Sequence, residues 1–220
     1  MNSVHYSGSS EEITVGTIYC LGQNYPLHAR EMKSDVPVIP VVFTKPASSL
    51  LRNGEPILIP PISAQVHHEV ELVVALGTGG DKIPVEKAYS HVLGYGVGLD
   101  MTLRDVQAEA KKKGHPWAVA KGFRTSAPVS DILPLSAFGN PHELTLTCAV
   151  NGMQRQCGFT GDMVFTIDKI ISYLSSIFTL RAGDLIFTGT PEGVGEVHPG
   201  DTIEASIAGK VRITHPVQLA

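Results

Sequence analysis

His67-His-Glu-Val-Glu-Leu-Val-Val-Ala-Leu76 is the stretch on which the reading of this chain turns. It is rich in Val and Leu and reads as a buried strand, in which alternate residues point to the same face. Glu69 and Glu71 therefore project side by side, with Cα atoms roughly 6.6 Å apart at a rise of about 3.3 Å per residue. Two negative charges brought to about 4 Å repel by about 4 kcal/mol at an effective dielectric near ~20. Either the strand is an edge with both carboxylates in water, or a divalent cation lies between them.

A third carboxylate supports the cation. Gly94-Tyr-Gly-Val-Gly-Leu-Asp100 reads as a Gly-rich strand ending at Asp100, where a helix takes over. Thr102 is the expected N-cap of that helix, with Asp105 three residues on, and Gly114 after Lys111 to Lys113 is its stop. Glu69, Glu71 and Asp100 form an all-oxygen set, which favours a hard ion, Mg²⁺ first and Mn²⁺ or Ca²⁺ as alternatives. His67 shares their face and leaves open a mixed site for iron or zinc, whereas His68 points the other way and reads as structural.

The 220 residues suffice for one large domain, and a net charge of −4 without a basic block makes nucleic acid an unexpected partner. Three scattered cysteines, Cys20, Cys148 and Cys157, fit a reducing compartment better than a disulfide scaffold. No apolar run approaches the roughly 20 residues of a membrane span, so the expectation is a cytoplasmic protein, with an organellar home in a eukaryote as the alternative.

Working outward, residues 1–15 are polar and Ser-rich and read as an arm ahead of a domain over 16–220. Thr17 to Leu21 is a buried strand, and Asn24 is the expected cap of a short helix that Pro26 starts. His28 and Glu31 lie three apart on that helix, so the carboxylate can orient the imidazole as a general base. Val41 to Lys45 is a strand whose terminal Lys45 reads as solvated, with contact to a ligand as the alternative. Lys121 follows an apolar run and reads as a buried ammonium that needs a negative partner; three carboxylates, a divalent ion and one Lys sum to zero. Asn151-Gly152 between apolar runs signals a hairpin. Asp162 is the expected cap of a helix from Met163 to Phe178 with an apolar stripe at Val164, Ile167, Ile170, Ile171 and Leu174. Pro191-Glu-Gly-Val-Gly195 lacks the spacing and Lys of a phosphate loop, and Thr190 before it is a candidate holder of a substrate carboxylate. The sum is a single strand-rich α+β domain with a few short helices.

Tyr19-Cys-Leu-Gly-Gln-Asn-Tyr-x-x-His28-x-x-Glu31, Phe43-x-Lys45-Pro46, His68-Glu-Val-Glu-Leu72, Gly94-Tyr-x-Val-x-Leu-Asp100-Met-Thr-Leu-Arg-Asp105, the Lys121 segment and Gly189-Thr-Pro-x-Gly-Val-Gly195 occur in order over about residues 16–219. This set resembles the fumarylacetoacetate hydrolase family, and the short chain resembles its acylpyruvase and oxaloacetate decarboxylase branch. The resemblance implies a catalytic fold of mixed β-sheets, a homodimer, and Mg²⁺ or Mn²⁺ on Glu69, Glu71 and Asp100. It also implies a lid carrying His28 and Glu31, with Arg104, Gln107, Lys121 and Thr190 on the substrate side. One departure is Lys121-Gly-Phe-Arg124, where members often carry an acid at the last position. This places a base beside the site and bears on which substrate is taken.

The chemistry expected of such a set is cleavage of a C–C bond in a 1,3-dioxo acid, with a divalent ion chelating the 2-oxo acid end and His28 activating water. Oxaloacetate decarboxylation and 2-oxo acid tautomerisation would use the same parts. A catalytically silent metal-dependent binding protein is the alternative outside enzymes. Cys20, in a buried strand without a base, is a poor nucleophile.

Overall fold

The computed structural model describes residues 2–7, 9, 10 and 12–220. Its main sheet has eight strands. Seven follow one another in the order Val41–Lys45, Ile18–Gly22, Leu185–Phe187, Val70–Leu76, Val92–Leu99, Ala127–Val129 and Leu50–Arg52, and Leu133–Pro134 also pairs with Val92–Leu99. The sheet is mixed: Leu185–Phe187 runs parallel to Ile18–Gly22, and Ala127–Val129 parallel to Leu50–Arg52, while the central pairs are antiparallel. Val70–Leu76 is buried along its whole length because both faces are covered, which is why it reads as an unbroken apolar run. Leu72, Val74 and Leu76 face the larger core and Val73 and Ala75 the smaller one.

A five-stranded sheet covers the larger core, in the order Met153–Phe159, Thr145–Val150, Thr202–Ile207, Val211–Leu219 and Ile57–Ile59. Its alternate residues Leu146, Cys148, Ile203, Ala205 and Ile207 point inward. Asn151 and Gly152 join the first two strands with φ of 53° and 76°, the left-handed pair a tight hairpin requires. The helix Ile167–Ile177 buries Ile167, Ile170, Ile171 and Leu174 against the same core.

Three local expectations are corrected. The last helix starts at Ile167, not Met163, and Asp162 belongs to a short 3₁₀ turn. Residues 164 and 165 form a bend outside the helix, where Val164 N donates to Asn24 O at 2.9 Å and Phe165 N to Asn24 Oδ1 at 2.7 Å. Asn24 is thereby drawn away from capping the helix Pro26–Glu31, which has no side-chain cap. Thr102 likewise caps nothing: the helix Arg104–Lys113 begins after Leu103, and Asp105 instead anchors Ser63 and Ala64. Its C-terminal stop at Gly114, φ 67°, is where the sequence places it.

Ser3–His5 and Glu12–Thr14 pair antiparallel, and Val4 packs into the smaller core with Val15 and Ile18. Among the described residues no helix is long and apolar enough to cross a membrane.

The feature that builds the site is a shared break in two strands. Val66–His68 belongs to a small three-stranded sheet with Thr102–Leu103 and Gly195–Val197, whereas Val70–Leu76 belongs to the main sheet. The change of sheet falls at Glu69. Its neighbour breaks at the same level, between Leu99 and Thr102, and Asp100 N donates to Glu69 O at 2.8 Å across the break.

Candidate metal centre and cleft

Glu69, Glu71 and Asp100 are all buried, at 4%, 1% and 1% exposure, and one oxygen from each lies within 4.8 Å of the others. This excludes the reading of an exposed edge strand. Each carboxylate is held differently. Glu71 Oε2 accepts from Gly189 N at 2.6 Å. Asp100 Oδ2 accepts from Lys121 Nζ at 2.6 Å, and its Oδ1 lies 2.8 Å from Lys45 Nζ. Glu69 Oε2 accepts from Lys121 Nζ at 2.8 Å, and its Oε1 accepts from Arg104.

The electrostatics follow from this arrangement. Burial alone would raise the Glu69 carboxyl, but the Lys121 ammonium and the Arg104 guanidinium outweigh it and hold Glu69 well below the usual carboxylate range. Burial, reinforced by the Asp100 and Glu69 charges, pushes Glu71 well above that range. A divalent cation beside Glu71 would offset this and favour its ionised form. Three convergent buried carboxyls, one of them raised by burial and by the charges of the other two, fit a hard divalent cation.

Lys45 is the residue that sequence reasoning missed. It is 1% exposed, not solvated, and besides Asp100 its ammonium reaches the carbonyls of Met101 at 3.2 Å, Ser126 at 2.9 Å and Lys121. Its place before Pro46 at the end of an apolar strand is the one local signal of this. The expected neutrality is corrected with it, since Lys45, Lys121 and Arg104 balance the three carboxylates before any ion is added.

Lys121 is 2% exposed, and its three N–H groups are engaged by Glu69, Asp100 and Thr102 Oγ1, the last at 2.7 Å. It acts on a ligand as a fixed charge and not as a free donor. Arg104 donates to Gln107 Oε1 at 2.8 Å, which leaves the Gln107 amide NH₂ as the group available to a ligand. Thr190 lines the cleft, but its hydroxyl proton goes to Val70 O at 2.8 Å and its oxygen accepts from Gln156 Nε2 at 2.9 Å. It therefore has no proton left for a substrate carboxylate.

His28 is 6% exposed and lines the same cleft as the triad. Its Nδ1 lies 3.1 Å from Glu31 Oε2, and Glu31 Oε1 accepts from Gly193 N at 3.1 Å. A carboxylate only accepts, so Nδ1 carries the hydrogen and Nε2 is the basic nitrogen. The second contact ties the short helix to the loop after Thr190.

Two residues flagged by the sequence stand outside. His67 accepts from Arg104 Nε at 3.4 Å, and burial together with the Arg104 charge lowers its pKa to about 4. It belongs to neither the oxygen cluster nor the cleft lining, so the mixed iron or zinc site has no imidazole. Arg124 is exposed and does not border the cleft, because Phe123 beside it packs inward on the core. His68 is structural as expected, buried with Nδ1 2.9 Å from Gln156 Oε1. Cys20 is fully buried, and desolvation pushes its thiol well up.

The chain matches the fumarylacetoacetate (FAA) hydrolase C-terminal family over residues 17–218. It is 49% identical over 201 residues to the mitochondrial oxaloacetate tautomerase FAHD1 of Rattus norvegicus and to that of Homo sapiens, covering 91% of each chain. Among solved structures, the fumarylpyruvate hydrolase of Pseudomonas aeruginosa in complex with Mn²⁺ and pyruvate superposes with a TM-score of 0.95 at 39% identity, over 99% of this chain and 96% of that one. A 5-carboxymethyl-2-hydroxymuconate delta-isomerase from Mycobacterium smegmatis gives a TM-score of 0.84 at 34% identity, over 95% of this chain and 81% of that one. With its sheets, its acidic triad and these relatives in agreement, this chain belongs to the fumarylacetoacetate hydrolase family.

Proposed function

We propose that this protein is a divalent-metal-dependent enzyme that hydrolyses an acylpyruvate-type 1,3-dioxo acid, such as acetylpyruvate or fumarylpyruvate, to pyruvate and a carboxylate. The observation that carries this reading is that His28, backed by Glu31, lines the same cleft as the buried triad Glu69, Glu71 and Asp100. Mg²⁺ is the proposed ion, with Mn²⁺ supported by the Pseudomonas aeruginosa structure. A divalent ion on these carboxylates supplies a template and Lewis acid for the 2-oxo acid end of the substrate.

The chain's own residues supply the rest. His28 Nε2 takes a proton from water as its oxygen attacks the distal carbonyl, and Glu31 stabilises the imidazolium that results. The C–C bond breaks toward the pyruvate side, whose methyl carbon receives the proton. Lys121 and Arg104 meet the negative charge that develops there as fixed cations close to Glu69. Gln107 offers its NH₂ to the substrate, and Thr190 shapes the wall.

A second reading is tautomerisation or decarboxylation of oxaloacetate, favoured by the names of the relatives that share 49% of their residues with this chain. A homodimer and a cytoplasmic setting complete the proposal; both rest on the family resemblance and composition.

The test is turnover of acetylpyruvate, fumarylpyruvate and oxaloacetate, each with Mg²⁺ and with chelator. Chelator-sensitive release of pyruvate from either acylpyruvate supports the hydrolase. Turnover of oxaloacetate alone shifts the assignment to the second reading, and no turnover of any of them leaves a binding protein.

A further inference from the structure

Arg104, Gln107 and Lys111 stand at i, i+3 and i+7 of the helix Arg104–Lys113, and this spacing puts all three on the helix face that lines the cleft. The first two are engaged with Glu69 and with each other. Lys111 is not. Among the described residues its ammonium has no carboxylate partner, and its Nζ lies 5.0 Å from the centroid of the Trp117 ring. Its neighbour Lys113, by contrast, is paired with Glu109 at 2.8 Å on the outer face.

The wall between Lys111 and the triad is aromatic. Trp117 packs on Phe43 with centroids 5.6 Å apart, and the Phe43 ring lies 4.9 Å from Lys121 Nζ. A flat apolar strip therefore runs from the carboxylates at the floor to a free ammonium near the mouth. The charges of the floor already cancel, three acids against Lys45, Lys121 and Arg104. The two charges of a bound divalent ion, and that of Lys111, are left for the ligand. Burial, then the Arg104 and Lys121 charges, lowers the Lys111 pKa, a repulsion that an anion beside it would relieve.

We propose that Lys111 is a specificity-determining residue that receives a second carboxylate at the far end of the substrate, so that this cleft takes dianionic 2-oxo dicarboxylic acids in preference to monoanionic ones. The assignment rests on the 2-oxo acid reading above and adds the residue that reads the distal carboxylate. The carboxylate next to the keto group lies at the metal end, the carbon chain lies along Phe43 and Trp117, and the distal carboxylate meets Lys111.

The experiment compares two acids of equal chain length, 2-oxoglutarate and 2-oxopentanoate, which differ only in the distal carboxylate. Binding of each to the Mn²⁺-loaded protein is measured by calorimetry for wild type, Lys111→Met and Lys111→Arg, so that no turnover is needed. Wild type should bind 2-oxoglutarate about tenfold more tightly, the size of one partly exposed charge-assisted contact. Lys111→Met should abolish that preference and leave 2-oxopentanoate binding unchanged, and Lys111→Arg should keep it. Equal affinity of wild type for the two acids, or equal weakening of both in Lys111→Met, overturns the assignment while the 2-oxo acid reading stands. Binding of neither acid removes that reading and the assignment together.

Discussion

Lys45 Nζ lies 2.8 Å from Asp100 Oδ1, and both side chains are closed to solvent. Asp100 is thus held between two ammonium groups, with Lys121 on its other oxygen at 2.6 Å. Removing one partner of a buried pair strands the other. Lys45→Met should therefore destabilise the fold by about 3–5 kcal/mol, as measured by urea denaturation of the metal-free protein.

The triad should respond unevenly to loss of charge. Glu71 is pushed toward its neutral form by burial and its acidic neighbours, so Glu71→Gln should leave metal-free stability nearly unchanged. Asp100→Asn strands Lys45, leaves Lys121 with Glu69 alone, and should cost about 3 kcal/mol or more. Both variants should lose Mn²⁺ affinity by about 100-fold or more, since even supporting residues of a metal site contribute 10–100-fold. Denaturation without metal and a Mn²⁺ titration, run on each variant, separate the two effects.

Gly189 presents its N–H to Glu71 from a φ of 98°, and a Cβ there would come within 2.7 Å of the Asn24 Cβ. A side chain is strained by the backbone angle and obstructed by its neighbour. Gly189→Ala should lower stability by about 1–3 kcal/mol and weaken Mn²⁺ binding as Glu71 loses its anchor, visible as a lower melting temperature and a shifted Mn²⁺ titration.

If His28 is the base, His28→Ala should lower kcat by about 10²–10⁴ with Mn²⁺ affinity unchanged. Glu31→Gln keeps a hydrogen-bond partner but removes the charge behind the imidazole. It should give a smaller loss of kcat than His28→Ala, with Mn²⁺ affinity again unchanged. Unaltered turnover in His28→Ala would exclude the assignment.

His215, which does not line the cleft, is fully buried with Nδ1 2.8 Å from Glu55 O, and burial lowers its pKa. The neutral form is the one the fold accommodates. As pH falls below about 6.5 the unfolded chain takes up the proton first, so this contribution is intact above that pH. It is then lost, at up to about 1.4 kcal/mol per pH unit, until the depressed folded value is passed. The stability difference between wild type and His215→Gln, measured in urea at pH 7.5, 6.5 and 5.5, should shrink on acidification.

Much of this was legible in the linear chain, for definable reasons. The two-residue repeat of a strand places Glu69 and Glu71 together whatever surrounds them, and the i, i+3 spacing of a helix does the same for His28 and Glu31, found 3.1 Å apart. The Asn151-Gly152 turn and the Gly114 stop follow from backbone angles that few residues other than glycine and asparagine accept. The caps failed because a hydroxyl or amide placed to cap its own helix can be claimed by a distant backbone. Asn24 serves residues 141 positions away, and Thr102 donates to Asp100 O and receives Lys121.

The sequence by itself determined the identity of the acidic and basic groups and the local spacing that pairs them, because such spacing depends only on the repeat of the element that carries it. The tertiary structure alone decided how they are used. The matched breaks at Glu69 and Asp100 turn two carboxylates 31 positions apart toward one point, as their 2.8 Å backbone contact records. Sheet order buries Lys45 beside Asp100 and turns an apparent surface lysine into part of the charge balance. Helix packing leaves Lys111 without a carboxylate partner among the described residues while its neighbours Arg104 and Gln107 are engaged. Charge compensation between groups far apart in the chain has no local period, so it is set only when the fold closes.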